Sequence, residues 1–325
     1  MRKILSVLLA AAVAAAALAG CGKAPADSSG ISVVCTVYPV YDWLGRICGE
    51  NSDIKLTLIG GNGADMHSYQ PTAADISAIA GADLTVYVGG SSDEWVSDAA
   101  EKSGKQGAYK ISLFDVLAAD LVEEELTEGM ESADEHDHDG DDGDGHEYDE
   151  HVWLSPKKAI TVCSALSDAV AKIDPANAEE YHKNCDRYIE TQLRPLDEDY
   201  SQAISSAARD TLVFADRYPF RYLAEDYGLN CFAAFPGCSA ETDASFDTVI
   251  FLAKKLDELS LDSIIVIDGS DEKLAKTVIS NSTRTDCRIL TLNSMQAVTA
   301  QQISSANGYA GIMRENLEVL KQALS

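Results

Sequence analysis

The chain has 325 residues, of which 46% are apolar and 24% are charged. At roughly 100 to 200 residues per domain, this length allows one large domain or two, and the composition excludes collagen-like, wholly disordered and polytopic membrane proteins. With 25 Lys and Arg against 53 Asp and Glu, the formal net charge of -28 would repel a phosphate backbone, so we expect no nucleic-acid partner. The same negative charge favours cation binding, but it is also found in acidic proteins in which it only promotes solubility.

The N-terminus has the pattern of a processing segment rather than of a folded element. Two basic residues precede an apolar, alanine-rich run over 4–19 that is too short for a comfortable membrane span. The run ends in Leu-Ala-Gly-Cys at 18–21, which resembles the lipobox of bacterial lipoproteins, where cleavage before the cysteine leaves a thiol that carries lipid. We therefore predict a signal peptide over 1–20, a lipidated Cys21 and a flexible tether over 21–30, with the mature protein anchored on the outer face of the cytoplasmic membrane.

Short apolar, β-branched runs alternate with helical patterns along the rest of the chain. The predicted strands lie at 31–37, 54–59, 84–88, 211–214, 231–234, 263–267 and 288–292. The predicted helices include 40–48, 72–80, 94–103, 156–173, 246–259 and 272–280. Strands that alternate with helices predict an α/β fold with parallel sheets, whose sites gather at the carboxyl ends of the strands.

Two breaks divide this pattern. The first, 128–150, has twelve acidic residues, three His, four Gly and no Lys or Arg, and it cannot bury enough apolar surface to order itself. The second is a long helical stretch over 175–208, which Pro195 should kink or divide. We expect an N-terminal α/β lobe over 31–174, a connector helix over 175–208 and a C-terminal α/β lobe over 209–325.

Histidine is rare in this chain, with six residues, so the positions of the histidines are informative. His67 follows a predicted strand, and His151 follows the acidic segment; each precedes a predicted helix. Each is either a ligand for a borderline metal or an ordinary loop histidine with a satisfied ring. A ligating histidine needs an acceptor for its second ring nitrogen, and Asp65 and Asp149 are near enough in sequence to serve. His182, within the connector, is expected on the surface.

A family resemblance joins these features. The acidic histidine-bearing segment, the lipobox, HVWLSP at 151–156 and the sequence DMHSYQPTAADI around His67 together resemble the zinc- and manganese-binding solute-binding proteins of ABC transporters. The resemblance covers nearly the whole mature chain, including CSAETDASF at 238–246. It implies two α/β lobes joined by one long rigid helix, with a single divalent metal in the cleft that is handed to a membrane permease and its ATPase. Carried over onto this sequence, two of the family's metal ligands are His67 and His151.

The other two ligands implied by the resemblance do not match cleanly. The third, usually His or Glu, aligns with Arg217, which cannot bind a cation, and one residue of slippage gives Asp216. The fourth, usually Asp, matches Asn293, a weaker neutral oxygen donor. We therefore predict Asp216 and Asn293 as the remaining ligands.

Two acidic residues near strand ends are alternatives to these ligands. They are Glu241, which can equally be a helix N-terminal charge, and Asp268, which can equally be a turn residue. Arg217 is expected to turn away from the metal and to pair with a carboxylate such as Glu241 or Glu225.

The acidic segment has a possible metal-binding role of its own. An EF-hand spacing fails there, because Asp142 occupies the glycine place and Tyr148 the terminal glutamate place. His136, His138 and His146 could hold Zn²⁺ weakly and transiently; alternatively, the segment is a solvated spacer. Nitrogen ligands favour Zn²⁺ over Ca²⁺ or Mg²⁺, and Mn²⁺ is an alternative if oxygen ligands complete the site.

The cysteines show no motif. Besides Cys21 there are seven, an odd number that cannot all pair, and no C-x-x-C spacing occurs. Several lie in apolar runs and are expected to be small buried hydrophobes. The cysteines by themselves therefore indicate neither a redox motif nor a structural zinc site.

The alternative functions would require different sequence motifs. No H-E-x-x-H, G-x-S-x-G or P-loop motif occurs, so we predict that the chain is not an enzyme. The predicted function is the extracytoplasmic metal-binding component of an ABC importer, with Zn²⁺ as the favoured cargo. The alternative is a metal-binding surface adhesin or interaction lipoprotein on the same scaffold.

Overall fold

Two parallel sheets form the frame of the protein. The computed structural model describes residues 30–49, 53–61, 63–102, 105–131, 147–239, 243–303 and 307–325. The strands are β1 (Ile31–Cys35), β2 (Ile54–Leu58), β3 (Leu84–Tyr87), β4 (Tyr109–Ser112), β5 (Thr211–Tyr218), β6 (Asn230–Pro236), β7 (Ser263–Ile267) and β8 (Arg288–Leu292). Their order is β2-β1-β3-β4 in one sheet and β6-β5-β7-β8 in the other, with parallel pairing throughout both. The predicted α/β class with two parallel-sheet lobes is confirmed.

Helices cover the sheets and connect their strands. They are α1 (Tyr38–Cys48), α2 (Ala73–Gly81), α3 (Glu94–Glu101), α4 (Leu113–Val116), α5 (Pro156–Ile173), α6 (Ala178–Tyr188), α7 (Arg194–Ser205), α8 (Arg221–Tyr227), α9 (Phe246–Glu258), α10 (Lys273–Ser280), α11 (Ala300–Ile303) and α12 (Gly308–Ala323). Local chemistry sets several of their starts: Thr72 and Asp75 form a reciprocal capping box at α2, and the Ser155 hydroxyl caps α5 next to Pro156. Among the described helices, none combines the length and the apolar character that crossing a membrane requires.

Several predicted strand ends differ from the observed ones by one or two residues, and two differences are larger. The predicted end of the fifth observed strand at residue 214 is wrong, because β5 continues to Tyr218 through a register shift between Phe214 and Arg217. Strand β4 was not predicted, because it lies at the edge of its sheet and its sequence YKIS alternates polar with apolar residues instead of forming an apolar run.

The predicted connector corresponds to consecutive helical segments. A 3-10 turn, Pro175–Asn177, leads into α6, and a π-helical segment, Ile189–Leu193, separates α6 from α7. Pro195 lies in the first turn of α7, as expected for a residue that has no N–H to donate into a continuous helix. The domain boundaries at 174 and 208 stay predictions.

One hydrophobic core runs through both lobes and the connector. It contains Trp43 of α1, Tyr200 of α7 and Phe214 of β5, all fully buried. The C-terminal helix α12 returns to the N-terminal lobe, where Tyr309 packs edge-on against Trp43 with ring centroids 4.9 Å apart. The Tyr309 hydroxyl also donates to the Trp153 carbonyl at 2.7 Å. This shared core packs the two lobes against each other and against the connector.

Several predicted features lie outside the described residues. They are the signal peptide over 1–20, Cys21, the tether up to residue 29, Glu241, and the histidines His136, His138 and His146. What was predicted for them stays a prediction.

Candidate metal site

Two histidines that are 84 positions apart in the sequence meet in the cleft. The Nε2 atoms of His67 and His151 lie 3.0 Å apart. His67 follows β2 in a short 3-10 turn, Met66–Ser68, which Asp65 caps by accepting the His67 backbone N–H at 3.1 Å. His151 is fully buried and directly precedes a second 3-10 turn, Val152–Leu154. The residues that the sequence singled out as rare therefore converge at one point.

The ring of His151 is oriented by Asp149. The His151 Nδ1 and the Asp149 Oδ1 lie 2.9 Å apart, and both residues are fully buried. A ring that donates through Nδ1 keeps the lone pair of Nε2 free, and here that lone pair faces His67. The prediction that Asp149 is the acceptor for His151 is confirmed. Arg221 Nε lies 3.8 Å from the second carboxylate oxygen of Asp149.

The ring of His67 has a different partner from the one predicted. Its Nδ1 lies 2.6 Å from the Ser92 hydroxyl and 3.8 Å from a Glu150 oxygen, while Ser92 N donates to Glu150 at 2.9 Å. Asp65, the predicted acceptor, bonds the His67 backbone instead of the ring. Burial, together with the neighbouring His151, lowers the pKa of His67 to about 3. His67 is therefore neutral near pH 7, the form that binds metal ions.

The C-terminal lobe contributes a cysteine that the sequence did not indicate. Within the part of the chain that the structure describes, donor atoms of His67, His151 and Cys238 all lie within 4.8 Å of one another. Cys238 comes two residues after β6, and its backbone N–H donates to Glu124 Oε1 at 2.9 Å. Burial, followed by the nearby Asp149, raises the pKa of the Cys238 thiol. The three side chains form a cluster of metal-ligand type that both lobes supply.

Gly237 lets the Cys238 backbone approach His151 closely. A Cβ atom at this position would lie 2.9 Å from the Tyr218 carbonyl oxygen and 3.0 Å from the Cε1 and Nδ1 atoms of His151. A side chain on residue 237 would therefore push the end of β6 away from the ring.

Gln296 reaches the same point from the loop after β8. Met295 has a positive φ of 57°, and this turn directs the next side chain into the cleft, where Gln296 Nε2 lies 2.5 Å from His151 Nε2. Trp153 Nε1 donates to the Ser294 carbonyl at 2.9 Å and fixes the turn to the N-terminal lobe. Gln296 Oε1 is buried and has no hydrogen-bond partner among the described residues. Its free lone pairs are available to a cation.

The structure places Asp216 within β5 rather than after it. At the register shift, its carboxylate accepts the N–H of Arg217 at 2.9 Å and the N–H of Ile267 at 3.3 Å. It therefore satisfies backbone donors of the sheet and lines a separate cleft of about 680 Å³ together with Asp268. The described structure does not bring Asp216 into the histidine–cysteine cluster.

The other residues considered in the C-terminal lobe also have structural partners. Asn293 Oδ1 accepts the Met295 N–H at 2.9 Å, and Asn293 N donates to Asn316 at 2.8 Å. Asp268 Oδ1 accepts the N–H and the hydroxyl of Ser294 at 2.6 and 2.8 Å, the turn role considered for it. Asp268 does not belong to the cluster, and the Asn293 side-chain oxygen is occupied by the Met295 N–H.

Arg217 pairs with a carboxylate, as predicted, but with a different one. Among the described residues it pairs with Asp65 rather than Glu225, at 2.8 Å across the cleft, and Glu241 lies outside the described residues. Asp65 is favoured because the turn after β2 places its carboxylate opposite the carboxyl end of β5. The ion pair joins the two lobes beside His67.

The space at the cluster suits an ion and not an organic molecule. The cavity lined by His67, Glu150, Trp153 and Gln296 has a volume of about 10 Å³. Pockets for organic ligands are of the order of 300–1,000 Å³. The imidazoles of His67 and His151 and the thiol of Cys238 lie within 4.8 Å of one another, and Gln296 lines the same small space as His67. This set of donors can bind a single metal ion.

Sequence reasoning missed Cys238, Gln296, Ser92 and Glu150. Cys238 opens the sequence CSAETDASF, which carried part of the family resemblance, but without a second nearby cysteine it matched no metal-binding spacing. Gln296 lies three residues beyond Asn293, and only the turn at Met295 selects it. Ser92 and Glu150 are ordinary polar residues in sequence, and their role follows from contact alone.

Comparison with known proteins agrees with this geometry. The family model "ZnuA: Zinc-uptake complex component A periplasmic" matches residues 33–323. The chain is 30% identical over 313 residues to the high-affinity zinc uptake system protein ZnuA of Bacillus subtilis, covering 94% of this chain and 93% of that one. It is 30% identical over 323 residues to the zinc-binding lipoprotein AdcA of Streptococcus pneumoniae, covering 99% of this chain and 61% of that one.

A solved structure shows the same fold. The Zn(II)-bound ZnuA-like domain of Streptococcus pneumoniae AdcA matches with a TM-score of 0.71 and 26% identity, covering 90% of this chain and 98% of that one. The chain spans 55–61% of the length of the streptococcal AdcA relatives. Because the family model matches almost the whole described chain, the resemblance predicted from the sequence is confirmed: the chain belongs to the ZnuA family of periplasmic zinc-uptake components.

Proposed function

We propose that the protein captures Zn²⁺ outside the cytoplasm and delivers it to the permease and ATPase of an ABC importer. The observation that carries this proposal is the meeting of the His67 and His151 Nε2 atoms, 3.0 Å apart, at a cavity with room for one ion. His67 and His151 are its metal ligands. The ligand roles predicted from the sequence for Asp216 and Asn293 stay predictions, which variants described below test.

The donor atoms favour Zn²⁺ over Mn²⁺ as the cargo. Imidazole nitrogen is a borderline ligand that suits zinc, whereas manganese prefers carboxylate, carbonyl and water oxygens. In the described structure, the nearest carboxylates, Asp149 and Glu150, are turned toward the Nδ1 sides of the rings. They hold and orient the nitrogen ligands instead of offering oxygens to the metal.

The protein acts as a binding component on the outer face of the membrane and not as an enzyme. The cavity leaves no space for an organic substrate beside the ion, and the sequence contains no hydrolase motif. Lipidation of Cys21 would supply the anchor, in keeping with the name of the AdcA relative as a lipoprotein. The adhesin alternative is less favoured, because the named relatives are zinc-binding and zinc-uptake proteins.

Zinc titration of histidine variants tests the proposal. His67→Ala combined with His151→Ala should weaken zinc binding by more than about 100-fold, because even the partners of ligating residues are worth about 10- to 100-fold. The measurement is competition with a chromophoric chelator, with circular dichroism as the check on folding. His182→Ala is the matched control, since that half-exposed side chain contacts Ser167 and Asp168 on the surface. Unchanged zinc affinity in the folded double variant would overturn the proposal.

A further inference from the structure

The cluster in the cleft includes a thiol that none of the sequence patterns assigned to metal binding. We propose that Cys238 is the third metal ligand, as a thiolate, so that the ion is held by two imidazoles from the N-terminal lobe and one sulfur from the C-terminal lobe. This inference rests on the proposed zinc-binding function and names the donor set of that site.

The geometry places the sulfur by several independent contacts. Its donor atom lies within 4.8 Å of the ligand atoms of both histidines. The Cys238 backbone N–H is fixed by Glu124, and Gly237 lets the end of β6 lie against the His151 ring. A tetrahedral zinc ion bonds sulfur at about 2.3 Å and nitrogen at about 2.0–2.1 Å, so donors a few ångströms apart around a small cavity fit one ion.

The other described cysteines have different surroundings. Cys35, Cys48, Cys163 and Cys185 are free thiols buried in the apolar core, in agreement with the prediction that several cysteines are small buried hydrophobes. Cys35 and Cys185 donate to backbone carbonyl oxygens, at 3.6 and 3.3 Å. Cys238, in contrast, faces two imidazoles.

Arg217, which aligns with the third ligand of the family, supports this assignment through its contacts. Its guanidinium donates to the carbonyl of Ser239, the residue after Cys238, at 3.4 Å and to Asp65 at 2.8 Å. It therefore ties the cysteine-bearing loop to the loop that carries His67. A permanent cation cannot bind the metal, but it can hold together the two loops that do.

Gln296 leaves the fourth position exchangeable. Its buried Oε1 has no hydrogen-bond partner in the described structure, and half a turn of the amide exchanges its nitrogen and oxygen beside His151. A neutral amide oxygen or a water is a weaker zinc ligand than a fourth imidazole or thiolate. Three strong ligands and one weak one suit a protein that must release its ion.

The thiolate would also select among metals. Sulfur is a soft ligand that favours Zn²⁺ and disfavours Mn²⁺, whereas a carboxylate in the same place would do the reverse. On coordination the thiol loses its proton to solvent, and the sulfur keeps the electron pair that it shares with the metal.

Cobalt spectroscopy of the purified protein tests the assignment. Co²⁺ bound to the parent protein should show an intense near-ultraviolet sulfur-to-cobalt charge-transfer band together with the visible bands of a tetrahedral ion. Cys238→Ser should remove the charge-transfer band and weaken Zn²⁺ binding by at least about 100-fold, more than the loss of an outer partner. Cys287→Ser, in the segment before β8, should retain both the band and the affinity.

A second variant and a protection measurement cover the case in which Cys238→Ser fails to fold. Cys238→Asp should raise affinity for Mn²⁺ relative to Zn²⁺. In the parent protein, bound Zn²⁺ should protect Cys238 from alkylation, as measured by peptide mass spectrometry. Tight Co²⁺ binding without the charge-transfer band would overturn the cysteine assignment and leave the proposed function standing. Absence of tight binding of both Co²⁺ and Zn²⁺ to the parent protein would overturn both.

Discussion

The two lobes contribute to the metal site in different ways. The N-terminal lobe supplies His67 and His151 on short turns, with ring partners that fix their lone pairs toward the cleft. The C-terminal lobe supplies Cys238 and Gln296 from loops whose direction depends on a glycine contact and a left-handed residue. The histidines of the first half can be identified from the sequence motifs around them, whereas Cys238 and Gln296 lie in no recognised ligand motif and only their placement distinguishes them.

This difference shows which ligands can be read from a motif. A histidine next to a conspicuous segment such as HVWLSP is identified by its residue type and its neighbours. Asp216 has a suitable residue type, but it is occupied in satisfying backbone N–H groups at the register shift of β5. Residue type alone therefore predicts too many carboxylate ligands in the C-terminal lobe and overlooks Cys238 as a ligand.

Among single variants of residues that are not metal ligands, Asp149→Asn is expected to reduce zinc affinity most. Asp149→Asn would let an amide N–H face His151 Nδ1 and so favour the ring form protonated at Nε2, which has no lone pair for the metal. We expect zinc affinity to fall by about 10- to 100-fold, measured by chelator competition. Asp226→Asn is the control, because that half-buried carboxylate pairs with Lys158 and Ser155 and not with either histidine. Equal losses in the two variants would show that Asp149 has only a structural role.

Gly237→Ala tests the close contact between the end of β6 and the His151 ring. The added Cβ would meet the Tyr218 carbonyl and the His151 ring, so we expect unfolding free energy to fall by about 1–3 kcal/mol, as in other overpacked sites. Zinc affinity should fall as well, since the ring or the Cys238 loop must move. Chemical denaturation and zinc titration measure the two effects. Gly81→Ala, which would meet no atom within 4 Å at the end of helix α2, should leave zinc affinity unchanged and should not lower stability.

Asp216→Ala tests whether the Asp216 carboxylate stabilises the sheet or binds the metal. Removing it leaves the N–H groups of Arg217 and Ile267 without their acceptor, so we expect a loss of about 1–3 kcal/mol in stability. Zinc affinity should change by less than about tenfold if Cys238 is the third ligand, because Asp216 bonds the backbone of the sheet and neither histidine ring, whereas loss of a ring partner costs about 10- to 100-fold. A larger loss of affinity, with Cys238→Ala unaffected, would restore the original prediction.

Asn293→Asp gives a companion test of the fourth predicted ligand. Asn293 Oδ1 already accepts the Met295 N–H, so an aspartate there should keep the turn and leave zinc affinity nearly unchanged. Tighter zinc binding by isothermal titration would instead identify residue 293 as a ligand.

The smallest effect on the tight site is expected from the acidic segment. Replacing residues 132–146 by a short Gly-Ser linker should preserve the tight zinc site and remove weaker metal equivalents, because His136, His138 and His146 are deleted. Tyr148 is retained, since it pairs with Glu123 and packs on Phe114. Closure entropy changes by only about 0.6 kcal/mol for each doubling of loop length, so stability should be little affected. Calorimetry showing loss of the tight site would place a primary ligand in that segment.

Much of the architecture follows from local pattern. Helix α5 begins and ends at the predicted residues because Ser155 and Pro156 specify its start, and strand β7 matches its prediction because five consecutive buried residues are typical of a central parallel strand. The edge strand β4 and the extension of β5 escaped prediction, because polar alternation and a register shift are set by neighbouring strands.

The sequence by itself determined the α/β class, the alternation that brings strand ends together, and the two histidines, because periodicity and rare residue types are local properties. Tertiary structure decided which C-terminal residues reach those histidines. A bulge turned Asp216 into the sheet, the turn at Met295 selected Gln296, and the contact of Gly237 with His151 brought in Cys238. Each of these outcomes depends on where one backbone segment lies relative to another, and no local window of sequence contains that information.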